Sequence, residues 1–101
     1  MYIILIQYKT PDNQVQKEKK VHDDFIKEQI EKGNFITAGQ RNPNTGEVIL
    51  SCLQDIEVLH DIICRDPYFK TRKSHFEIIE FSPQRSCSEL EEFFQFQEDN
   101  H

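Results

Sequence analysis

The first eight positions carry an almost unbroken apolar and aromatic run. Residues 2 to 8 read YIILIQY, β-branched and too short for a stable helix, which predicts a buried strand. KTPDNQ interrupts it, and a long amphipathic helix is predicted from Val15 to Lys32, closed by Gly33 at the usual C-terminal glycine position. NFITAGQ and GEVILSCL read as a second and a third strand, joined by the turn-rich RNPNTG as an antiparallel hairpin. Asp55 is placed to cap a second helix, Ile56 to Cys64, which stops at Asp66-Pro67. SHFEIIEFS is a last strand, ended by Pro83. The order β-α-β-β-α-β suits an α+β domain of the ferredoxin-like, split βαβ type: a four-stranded antiparallel sheet with both helices on one face. This domain takes residues 1–82. Residues 83–101 form a C-terminal extension that reads as a short helix carrying Leu90, Phe93, Phe94 and Phe96.

Two helices cover only one face of such a sheet, yet the first and last strands carry apolar side chains on both. Tyr2, Ile4 and Ile6 oppose Ile3 and Leu5; Phe76 and Ile78 oppose Ile79 and Phe81. The uncovered face calls for a partner, and a second copy of the chain is the simplest one, so a homodimer is expected, with the Phe-rich extension near its interface. The alternative is that the extension folds back over its own sheet.

Charge narrows the field of partners. Among 101 residues, 12 Lys and Arg face 18 Asp and Glu, a net charge of -6 that opposes nucleic acid and anionic lipid. No apolar run has the length of a membrane span and MYIILIQY lacks the basic start of a signal peptide, so no membrane partner and a cytoplasmic location are expected. Cys52, Cys64 and Cys87 have no zinc spacing and read as reduced thiols, each a small apolar residue; His60 and His75 lack an i,i+4 or HxH partner. Neither a metal nor a cofactor is called for. Two other uses of the topology fail on their own residues. GEVILSCL has no RNP pattern for RNA, and KTPDNQVQ lacks the glycines and arginine of a phosphate-cradling loop.

One residue contradicts its surroundings. Projected at roughly 100° per residue, the first helix gathers Val21, Phe25, Ile26 and Ile30 into one apolar arc, and His22 falls near its middle. Gln29 lies in the same sector. An inward imidazole needs partners for both nitrogens, and a carboxylate is the usual device for fixing its tautomer. In a split βαβ fold the end of the second helix approaches the first, which makes Asp66 a candidate partner, with the second ring nitrogen left to face a cavity. The other reading is a satisfied core histidine, with Asp66 serving only as the N-cap of a short helix begun by Pro67.

Taken together, VHDDFIKEQIEKGNFITAGQ, the Gly46-started GEVIL, RDPYF and HFEIIEF resemble the YciI-like (YCII-related) domain family over residues 1–82. The resemblance implies a dimeric α+β barrel, two ferredoxin-like units packed sheet to sheet, with a small pocket in each. It also implies a paired histidine and aspartate, which fall on His22 and Asp66. Many relatives carry a proline after the glycine of the second strand, where this chain has Gln40-Arg41, and many a glycine soon after Asp-Pro-aromatic, where this chain runs KTRKS.

The candidate site is therefore His22 and Asp66 as catalytic residues, with Tyr68, Gly39, Arg41 and Gln29 as substrate contacts. Tyr68 offers a polar tip on an apolar body, whereas Phe69 is expected in the core. Arg41 either holds an anionic ligand or is simply solvated. Two functions fit. One is a small-molecule enzyme using His22 for acid/base proton transfer of the lyase, isomerase or dehydrohalogenase kind. The other is a non-catalytic dimeric ligand-binding or accessory module whose His-Asp pair is structural.

Overall fold

A computed structural model describes residues 1–9 and 16–99. The elements are β1 (Tyr2–Tyr8), α1 (Gln16–Glu31), β2 (Thr37–Gln40), β3 (Gly46–Ser51), α2 (Ile56–Ile63), α3 (Pro67–Lys70), β4 (Ser74–Glu80) and α4 (Ser88–Asp99). The expected helix start at Val15 lies outside the described residues, as does the Phe96 side chain. The sheet order is β2-β3-β1-β4 and every pairing is antiparallel, so the chain has the ferredoxin-like α+β architecture.

Register follows the alternation of β1. Tyr2, Ile4 and Ile6 are buried beneath the helices, opposite Ser51, Ile49 and Glu47 of β3 and Glu80, Ile78 and Phe76 of β4. They join Ile26, Phe35, Leu59, Ile62 and Ile63 in one core. Truncating a fully buried isoleucine such as Ile4 to alanine in a core of this kind costs about 2–5 kcal/mol. On the other face Val48, Ile79 and Phe81 keep more than a third of their surface exposed, so α4 does not close over it.

Four sequence expectations change. Only the second half of NFITAGQ is strand, because the N–H groups of Asn34 and Phe35 donate to the Gln29 carbonyl at 3.0 and 3.2 Å and finish α1 instead. Gly33 makes that ending possible at φ +81°, a left-handed conformation that costs other residues about 1 kcal/mol or more. The apolar arc of α1 is narrower and rotated: Val21 and Ile30 are 59% and 39% exposed, and the buried stripe is His22, Ile26 and Gln29. Phe69 leaves the core at 41% exposure, since the next position on α3 is turned about 100° around the helix from buried Tyr68.

The thiols are free; Cys64 and Cys87 are exposed, not packed as small apolar residues. Among the described residues no helix is long and apolar enough to cross a membrane.

Candidate active site

Three elements converge on His22. The i, i+4, i+7 stripe of α1 turns its imidazole inward, to 1% exposure. Asp66 precedes Pro67 and caps α3: its Oδ1 accepts the Tyr68 N–H at 2.9 Å, and the same oxygen lies 2.7 Å from His22 Nδ1. The cap and the partner are one carboxylate. β3 supplies the rest, for Glu47 shares the helix-facing side with Ile49 and Ser51, and its Oε2 is hydrogen-bonded to His22 Nε2.

Glu47 corrects the expectation that the second ring nitrogen faces a cavity. Both nitrogens are occupied, and the carboxylate is interposed between ring and solvent, its side chain 16% exposed. The residue was legible in part: in GEVILS it falls in phase with buried Ile49, which marks a carboxylate on the covered face. Its neighbour Gly46 holds the strand close. A Cβ there would stand 1.8 Å from the Ile6 carbonyl oxygen.

Burial alone would disfavour a charged ring. Against it act the hydrogen bonds to Asp66 and Glu47 and the two negative charges, and they raise the His22 pKa from 6.5 to about 9. At neutral pH the ring is an imidazolium donating from both nitrogens, which supplies the charge a buried Asp66 requires. Tyr68 stacks on it, ring centroids 3.8 Å apart and planes within 12°, and meets Tyr8 edge-on at 5.8 Å. Burial, then the nearby Tyr8, Asp23 and Glu47, push the Tyr68 phenol up, so it remains neutral and able to donate.

These groups wall a cavity of about 190 Å³, lined by Tyr8, Lys19, His22, Asp23, Gly39, Gln40, Asn44, Gly46, Glu47 and Tyr68. Lys19 and Asp23 pair at 3.1 Å on its rim. Of the residues named from the sequence, His22, Tyr68 and Gly39 line the cavity, and Asp66 stands behind His22. Gln29 and Arg41 do not line it. Gln29 is buried at the end of α1, where its Oε1 accepts from Asn34 Nδ2 at 2.8 Å, and the Arg41 N–H closes the hairpin on the Gly46 carbonyl at 2.9 Å. Among the described residues no group of His, Cys, Asp and Glu is arranged to hold a metal ion.

Fold and site together define a small α+β domain with a buried carboxylate–imidazolium–carboxylate array. No family model and no curated protein matches the chain. Among solved structures, the chain is similar to TftG, the 5-chloro-2-hydroxyhydroquinone dehydrochlorinase of Burkholderia phenoliruptrix AC1100, in complex with 2,5-dihydroxybenzoquinone. The TM-score is 0.65 at 11% identity, over 83% of this chain and 96% of that one. At that identity the likeness establishes a shared fold alone, the α+β arrangement of helices on a four-stranded antiparallel sheet described above.

Proposed function

We propose that the chain is a homodimeric small-molecule enzyme in which the Asp66–His22–Glu47 array carries out proton transfer on a ligand in the 190 Å³ cavity, in a lyase, isomerase or dehydrohalogenase-like reaction. The observation that carries this reading is the imidazolium held between two carboxylates at a cavity wall. Glu47 is the outermost member and meets the ligand. Its carboxylate takes a proton from a ligand C–H or O–H, and the His22 imidazolium, anchored by Asp66, offsets the charge changes behind it. In a dehydrohalogenation the bonding pair freed by that proton forms the new double bond, and halide leaves with the carbon–halogen pair.

The TftG likeness supports a small hydroxylated, halogenated ring as the first substrate class to try. The test is chloride release from 5-chloro-2-hydroxyhydroquinone by the full chain, with His22→Asn as control. Release that disappears in the variant supports the proposal. Absence of turnover with this compound and with a panel of halogenated phenols overturns the dehydrohalogenase form.

One observation favours the alternative, a ligand-binding module with a structural His-Asp pair: both ring nitrogens are already bonded within the protein. Saturable binding of 2,5-dihydroxybenzoquinone, with no turnover of any related compound, would select it.

A further inference from the structure

A second cavity, of about 290 Å³, opens between α3 and the start of β4, lined by Lys9, Phe69, Arg72, Ser74, His75 and Phe76. It shares no residue with the His22 cavity. Adjacent residues divide between the two: Tyr8 and Tyr68 serve the first, Lys9 and Phe69 the second.

The charge of this cavity runs against that of the chain. The protein carries -6 overall, yet the lining holds a lysine, an arginine and a histidine and no carboxylate. Among the described residues no ion pair engages Lys9 or Arg72. Ser74 is 7% exposed, and its buried Oγ has no hydrogen-bond partner among them. Such a hydroxyl costs about 1–3 kcal/mol until an acceptor or donor reaches it.

Backbone conformation supplies a separate pointer. Arg72 ends α3 at φ +59°, its N–H donating to the Phe69 carbonyl at 3.2 Å. Glycine holds this left-handed position without penalty, whereas a residue with a Cβ loses about 1 kcal/mol or more there. A guanidinium thus stands where glycine would sit at lower backbone cost. Beside it, Phe69 and Phe76 meet edge to face at 5.5 Å and form an apolar wall, with Phe69 41% exposed.

We infer that this cavity is a binding site for a small amphiphilic anion, one with a flat apolar body against Phe69 and Phe76 and a carboxylate met by Arg72, Lys9 and the Ser74 hydroxyl. Guanidinium and ammonium groups supply charge-assisted hydrogen bonds, the serine satisfies its own buried oxygen, and the aromatic wall selects against a bare inorganic ion.

Benzoate is the probe, titrated into the full isotope-labelled chain while backbone amide shifts are followed, with neutral benzamide as comparison. Saturable shifts at Arg72, Ser74 and His75 are expected, with benzamide bound about tenfold more weakly, the loss of one charge-assisted contact. Arg72→Gly should weaken benzoate by a similar factor while its melting temperature holds or rises, which separates lost binding from lost fold. Ser74→Ala should weaken it about fivefold. Benzoate shifts confined to the His22 cavity, equal binding of benzamide, or undiminished affinity in Arg72→Gly would overturn the assignment.

Discussion

His22 and Asp66 lie 44 positions apart in the chain, and their side chains meet at 2.7 Å in the interior. The oxygen that receives the imidazole also receives the Tyr68 N–H, so the residue that starts α3 fixes the ring of α1. Tyr68, positioned by that same turn, covers the face of the ring. Local capping and the candidate chemistry are thus one device, and substitutions at Asp66 act on both.

Stability should depend on pH through His22. The folded-state pKa, about 9, is raised above the ordinary 6.5, so the stabilisation is fully present below pH 6.5 and is lost as pH rises through 9. Its size is on the order of 3 kcal/mol. Urea denaturation at pH 6 and at pH 9.5 measures it, and His22→Asn should flatten the difference.

Asp66→Asn separates capping from charge. Asn caps helices about as well as Asp, so α3 should persist, while the loss of a carboxylate lowers the His22 pKa. Glu47→Gln should also lower it, by less, because the Asp66 hydrogen bond is the larger of the two supports. NMR titration of the ring reads both; an unchanged titration in Asp66→Asn would show the pair to be energetically uncoupled.

Gly46→Ala should destabilise the fold by about 3 kcal/mol or more. The added carbon would stand 1.8 Å from the Ile6 carbonyl oxygen, and only movement of β1 or β3 relieves that overlap. Equilibrium denaturation checks the loss, and wild-type stability in this variant would mean that the strands sit further apart.

Gln29→Leu should cost about 1–3 kcal/mol, because Asn34 Nδ2 loses its acceptor at the end of α1. Ligand binding in the His22 cavity should be unchanged, since Gln29 does not line it. A large change in ligand affinity at unchanged stability would restore Gln29 to the site.

Sedimentation should report a homodimer joined through the sheet face that bears Val48, Ile79 and Phe81. Phe81→Asp should give a monomer. Deleting residues 86–101 should lower the melting temperature of the dimer, as expected of an extension that packs near the interface; no change in melting or association would detach it from that role.

The order of elements was readable from the chain alone, and so were the Asp55 and Asp66 caps, the closing Gly33 and an inward histidine on the first helix. All of these are set within a few residues, by hydrogen bonds of one turn and by the period of one helix or strand. Periodicity also misled, for it cannot tell how far an apolar arc extends before it reaches solvent. Val21 and Ile30 join the same arc as Ile26, yet only the sheet beneath decides which of them is covered. Phe69 moved outward for the same reason, and Gln29 proved to finish a helix. Above all, the second partner of the imidazole depended on tertiary structure. Phase alone places Glu47 under the helices, but its meeting with His22 Nε2 requires the register of β3 on β1 and the placement of α1 across both. Long-range packing sets that relation, and no spacing along the sequence encodes it.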